Sequence, residues 1–181
     1  MSELVVSPDW VAERTDAVGL VDVRDAWEYE GIGHLPGAVN VPFDRFRADD
    51  HGAAGGDGEG MLPGADVFAA LLGEAGIART DDIVAYDDHH GVFAARLLVT
   101  AELYGHPRER LHLLDGDFSA WQRERETTTA APDPTPTTYE VREPTDSPLV
   151  DVEAVAAAVD DPETVVVDTR EDWEYAEGHI P

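Results

Sequence analysis

A stretch that runs Val21, Asp22, Val23, Arg24, Asp25, Ala26, Trp27, Glu28, Tyr29 and then Gly33, His34, Leu35, Pro36 returns later in the chain. The second occurrence reads Val167, Asp168, Thr169, Arg170, Glu171, Asp172, Trp173, Glu174, Tyr175 and then Gly178, His179, Ile180, Pro181. The offset is 146 residues at the start and 145 at the Gly-His pair. A pattern that mixes acid, guanidinium, aromatic, glycine and proline positions over this length does not arise from helix or strand propensity. The chain therefore opens one kind of domain twice. Its 181 residues cannot hold two full domains of about 120 residues or more. The expected organisation is a domain over 1–126, a Thr/Pro-rich linker over 127–147, and the N-terminal part of a second copy, cut off, over 148–181.

Within the first copy, short Val- and Ile-rich runs at 19–23, 38–41, 82–86 and 111–114 alternate with helix-like segments at 8–14, 65–74, 91–104 and 118–124. Strands that alternate with helices pair in parallel and are layered by those helices, which predicts an α/β fold. Val21, Val23, Val39, Val41, Ile83, Val84 and Leu113 are the expected core positions of such a sheet. The Gly-rich acidic stretch near 47–60 has neither period and reads as a surface excursion. The run from Thr127 to Thr138 alternates Thr and Pro without an apolar period and reads as an extended linker.

Charge narrows the function classes. Against 39 Asp and Glu stand 12 cationic residues, all of them Arg, for a formal charge of -27. These scattered arginines form no basic patch, so neither nucleic acid nor an anionic membrane is an expected partner. A solvated acidic coat around a chain with a 43% hydrophobic share points to a high-salt, haloarchaeal cytoplasm, where salt screens self-repulsion. The N-terminus has no basic region ahead of an apolar run, and the longest mostly apolar run, 92–103, is broken by Arg96 and Glu102. The expectation is a cytoplasmic protein. With no Cys, thiolate metal sites and cysteine nucleophiles are absent.

Four polar clusters are candidates for chemistry. Asp87, Asp88, His89 and His90 carry ligand types that divalent cations accept, but four consecutive loop residues seldom converge on one ion, so no metal is expected. Asp22 with Arg24, and Asp168 with Arg170, stand at a strand end where open α/β sheets place ligands. The competing and favoured reading pairs each Arg with Glu28 or Glu174 a turn along the next helix. His34 and His179 recur at one repeat position, which suggests a shared turn more than shared ligation. Trp27, Tyr29, Trp173 and Tyr175 are expected to anchor helices against the sheet, and Arg96 is the best candidate for a domain-interface residue.

The repeated motif, followed by Gly37-Ala38-Val39-Asn40-Val41-Pro42, resembles the opening of a rhodanese domain. Further agreement comes in order from Met61-Leu62-Pro63 with Phe68 to Leu72, Gly76-Ile77, Ile83 to Asp87, Gly91 to Arg96, Gly105-His106 and Leu113 to Trp121. Together they resemble the first, noncatalytic domain of tandem thiosulfate or 3-mercaptopyruvate sulfurtransferases, over 4–124 and again over 149–181. One departure is Asp117, where such proteins usually carry a second glycine. The resemblance implies a rhodanese-like parallel sheet flanked by helices and no cofactor. It also implies a catalytic Cys that follows a strand in a loop of inward backbone N–H groups, which hold anionic sulfur. The matching position here is Asp87, which cannot form a persulfide, so no catalytic residue is expected. By repeat arithmetic the parent's Cys falls near position ~233. Sulfur transfer from a small sulfur-containing donor to a thiophilic acceptor is then the activity of the intact parent, and this chain is expected to be inert. The alternative is a noncatalytic rhodanese-like binding or regulatory module.

Overall fold

The computed structural model describes residues 3–47, 62–143 and 147–180, so all but the first residue of the Gly-rich stretch at 47–60 lies outside the described residues. The chain divides into two compact units, 1–145 and 146–181.

In the first unit β1 (Val5–Val6), β2 (Gly19–Asp22), β3 (Val39–Asn40), β4 (Ile83–Tyr86) and β5 (Leu111–Leu114) form one sheet in the order β1-β5-β4-β2-β3. Every pairing is parallel, with Val21 opposite Ala85 and Ala85 opposite Leu113 across the centre. The helices α1 (Pro8–Ala12), α2 (Ala26–Gly31), α3 (Ala65–Glu74) and α4 (Val92–Leu103) lie in the crossovers that parallel strands require, and α5 (Asp117–Glu124) follows the last strand. This is the α/β architecture the alternation implies, with β5 as expected and β2, β3 and β4 shorter than the sequence suggests. The two-residue β1 is not among the expected strands.

Side-chain alternation along the strands divides the core into two layers. Val21, Ile83, Ala85 and Leu111 pack with Phe68, Leu71 and Leu72 of α3 and Ala94, Leu97 and Leu98 of α4. Leu20, Val84, Tyr86 and Leu114 face the other way, onto Val11, Phe118 and Trp121. Of the expected core positions, Val21, Val23, Val41, Ile83 and Val84 are buried, while Val39 and Leu113 are half-buried. Residues 127–143 form neither helix nor strand and are part of the first unit.

The second unit holds α6 (Val152–Val159), whose Asp151 carboxylate accepts the Ala154 N–H at 2.9 Å, and α7 (Asp172–Glu177). Neither Leu149–Val150 nor Val165–Val167 forms a strand. Val165 is 82% and Val167 72% exposed, where Val21, the repeat equivalent of Val167, is fully buried.

Candidate functional site

The strand order reverses between β2 and β4, since the chain leaves β2 toward β3 on one side and β4 toward β5 on the other. At such a switch point the connections after the strands diverge and leave a crevice at their C-terminal ends. Asp87 follows β4 directly into this crevice and is fully buried.

Its carboxylate is wrapped by the loop that it begins. Oδ1 accepts the N–H groups of His89 at 2.8 Å and Gly91 at 2.9 Å, and Oδ2 those of Phe93 at 2.8 Å and Ala94 at 3.0 Å. Two of these donors belong to the first turn of α4, whose N-terminal amides have no partner within the helix. The loop reaches this shape through two left-handed residues, His90 at φ 58° and Gly91 at φ 80°. Four inward N–H groups and a helix start constitute an anion cradle. Here the anion is the protein's own side chain.

Asp117 explains how the loop tolerates a charged residue where glycine is usual. It keeps the left-handed conformation, φ 65°, which costs a non-glycine residue about 1 kcal/mol. Its Oδ2 accepts the His90 N–H at 3.0 Å and lies 3.5 Å from His90 Nδ1, so the side chain ties the α5 turn to the cradle loop. The Asp87 carbonyl accepts the Phe118 N–H at 2.9 Å, a second tie between the same segments.

The neighbouring candidates diverge. Asp88 turns to the start of α5, where it takes the Ser119 N–H at 3.0 Å and hydroxyl at 2.9 Å. His89 sets its ring edge-on against Phe93 at 5.2 Å, and the His90 side chain is 97% exposed. Among the described residues no group of three or more His, Asp or Glu is placed to hold a metal ion.

Asp22 and Arg24 form a buried fork-to-fork pair, and Glu28 is not the partner of Arg24. Arg24 Nη2 lies 2.6 Å from Asp22 Oδ2 and donates also to the Gly33 carbonyl at 2.7 Å, while Nε donates to Oδ1 at 3.0 Å. Glu28 instead accepts the Asp25 N–H at 3.2 Å and caps α2. Asp22 closes β2 two residues before Arg24 and is as buried as it is, whereas Glu28 is half-buried on α2 and is taken up by the helix cap. The guanidinium also lies over the Phe118 ring at 3.7 Å. Burial by itself would lower the Arg24 pKa, but the Asp22 bonds and charge hold it above its ordinary value. Burial and the nearby Asp22 charge push the Tyr86 hydroxyl well up.

His34 is buried, stacks on Tyr29 at 3.7 Å, and donates from Nδ1 to the Leu35 carbonyl at 2.9 Å. Its Nε2 has no hydrogen-bond partner among the described residues. Its backbone forms an isolated antiparallel bridge with Thr128, where the repeat position suggested a turn. Burial raises the Tyr29 pKa to about 12, and its hydroxyl donates to the Ala38 carbonyl at 2.6 Å. Tyr29 is thus the anchor of α2, but Trp27 is not: it is 64% exposed, because the helix turns that position outward. Trp173 is 63% exposed at the equivalent place. Arg96 is half-buried on α4. The family resemblance implies inward N–H groups at this loop, but not which residues supply them, since backbone donors carry no residue signature; Gly91 just ahead of an apolar helix is the one available signal.

A rhodanese-like domain family model matches residues 7–124. A thiosulfate sulfurtransferase of Corynebacterium glutamicum is 36% identical over 148 residues, which cover 80% of this chain and 46% of that protein. A thiosulfate sulfurtransferase of Pseudomonas aeruginosa is 30% identical over 193 residues, covering 98% and 66%. The chain thus spans about half to two thirds of the length of these curated relatives. Among solved structures, the crystal structure of SseA from Escherichia coli, which shows the rhodanese fold of 3-mercaptopyruvate sulfotransferases, superposes with a TM-score of 0.76 at 22% identity, over 95% of this chain and 67% of that one. A parallel sheet in the order β1-β5-β4-β2-β3, its superposition on that rhodanese fold and a family match over most of the first unit all agree, and the chain belongs to the rhodanese-like domain family.

Proposed function

We propose that the first unit is a non-transferring rhodanese domain in a tandem sulfurtransferase, which as an intact parent moves sulfane sulfur from thiosulfate or 3-mercaptopyruvate to a thiophilic acceptor. In this reading 148–181 is the opening of a second copy, and the persulfide cysteine belongs to that copy. The repeated motif and the greater length of the relatives support this organisation. One observation carries the inert assignment. The Asp87 carboxylate, fully buried, already takes the four N–H groups that would otherwise hold an anionic sulfur. A carboxylate oxygen cannot accept sulfane sulfur as a persulfide, and no thiol exists elsewhere in the chain.

The test is thiocyanate formation from thiosulfate and cyanide by the purified 181-residue chain in multimolar salt. No thiocyanate should form above the uncatalysed rate, because no group can carry the sulfur between donor and acceptor. Reproducible turnover would overturn the assignment.

A further inference from the structure

Residues 127–143 have the composition of a free tether, yet their backbone meets the first unit repeatedly. His34 and Thr128 exchange N–H···O bonds at 2.8 and 3.0 Å. The Thr137 N–H donates to the Gly73 carbonyl at 2.9 Å and the Arg142 N–H to the Tyr104 carbonyl at 3.0 Å. Between these last two, Tyr139 is buried, edge-on to Phe68 at 5.8 Å and stacked on His106 at 5.9 Å. His106 Nε2 lies 3.0 Å from the Asp81 carbonyl, which only accepts, so Nε2 carries the proton. Nδ1 is then the acceptor for the Tyr139 hydroxyl at 3.0 Å.

Glycine lines the path beneath this segment. A Cβ on Gly73 would stand 2.6 Å from the Thr137 carbonyl oxygen, and one on Gly105 would stand 2.5 Å from that of Arg142. On Gly76 it would lie 3.0 Å from Pro134 Cβ, and on Gly33 3.1 Å from the Thr128 oxygen. Gly33, Gly76 and Gly105 have positive φ, which by itself favours glycine. Gly73 does not. It sits inside α3, where alanine is the better helix former, and the close approach of Thr137 is what keeps a methyl out.

We propose that residues 127–143 are a latched strap of the first unit, seated on glycines and locked by the Tyr139–His106 pin. Breaking the pin frees the strap from Gly73 to Gly105 and leaves the sheet folded. A tether with solvated backbone requires neither a buried tyrosine nor an approach closer than a methyl group permits.

Hydrogen exchange on the full chain in molar salt tests the latch. In the wild type the Thr137 and Arg142 amides should exchange at least about tenfold more slowly than those of Thr135 and Thr138. In Gly73→Ala and Tyr139→Phe both should accelerate by about tenfold or more, while Val84 and Tyr86 keep wild-type protection. Helix propensity alone gives the opposite outcome for Gly73→Ala, an α3 that is more stable with exchange unchanged, and that result overturns the proposal. Strap amides that exchange at free-chain rates in the wild type overturn it too. Tyr139→Phe removes one oxygen and keeps the ring, so it decides the question even where Gly73→Ala does not fold. Loss of protection at Val84 in Tyr139→Phe would show strap and sheet melting as one, against a separable latch.

Discussion

Lowering the pH from 7 to 5 should weaken the first unit through His106 in particular. The ring is buried, between the Asp81 carbonyl on Nε2 and the Tyr139 hydroxyl on Nδ1, with Arg79, Arg110 and the Asp81 side chain as the charged groups that act on it. Burial lowers its pKa from 6.5 to about 4. Above pH 6.5 the imidazole is neutral in both the folded and unfolded chain, and His106 adds no pH dependence. Between 6.5 and 4 only the unfolded chain takes up the proton, so stability falls as the pH drops through that window. At pH 5 the difference in proton uptake amounts to about 2 kcal/mol. Urea unfolding, followed by tryptophan fluorescence in molar salt at pH 7 and pH 5, measures it. Carboxylates contribute to both curves, so His106→Gln is the reference: the wild type should lose about 2 kcal/mol more than this variant between the two pH values. Equal losses would refute the argument, since they would mean that the folded chain protonates His106 as readily as the unfolded one.

Asp87→Asn should destabilise the first unit by about 3 kcal/mol in the same unfolding assay, because an amide NH₂ would face two of the four backbone donors; an unchanged midpoint would show that the cradle does not need its anion. Arg24→Met should cost about 3–5 kcal/mol by leaving Asp22 buried and unpaired, as calorimetry of the chain would report. Arg170→Met, at the solvent-facing repeat of that pair, should leave the melting curve where it is. With a formal charge of -27, the melting temperature should climb from low to multimolar salt as screening shortens from roughly 30 Å to 3 Å, and a flat curve would count against the halophilic reading.

The two copies of the motif separate what local sequence determines from what the fold adds. Arg170 grips Asp168 with Nε at 3.0 Å from Oδ1 and Nη2 at 2.6 Å from Oδ2, and it reaches the Gly178 carbonyl at 2.9 Å, as Arg24 does in the first copy. Tyr175 stacks on His179 at 3.9 Å, much as Tyr29 stacks on His34. The fork, the stacking and the capped helix need only residues within about a dozen positions of one another, which is why both occurrences of the motif form them, although the favoured sequence reading paired each Arg with Glu28 or Glu174. Burial is another matter. Tyr29 is 5% exposed and Tyr175 48%; in the first unit the His34 that stacks on Tyr29 is itself bonded to Thr128, far along the chain. Electrostatics follows: the Arg170 hydrogen bonds lower the Asp168 pKa to about 2 in an exposed pair, whereas the Asp22 pair lies wholly inside.

The alternation of strands and helices, the parallel sheet and the position of Asp87 after β4 were all legible, since each rests on a periodic pattern or an ordered motif. That Asp87 is held by His89, Gly91, Phe93 and Ala94 was not, because the donors are backbone groups that any residue type supplies. Nor could the sequence show that Thr137 and Arg142 lie on Gly73 and Gly105, since a Thr/Pro run has no period to mark a docked face. Local geometry was set by neighbours in the chain, while the filled cradle and the seated strap were decided by contacts across the fold, where long-range packing chooses which backbone groups meet.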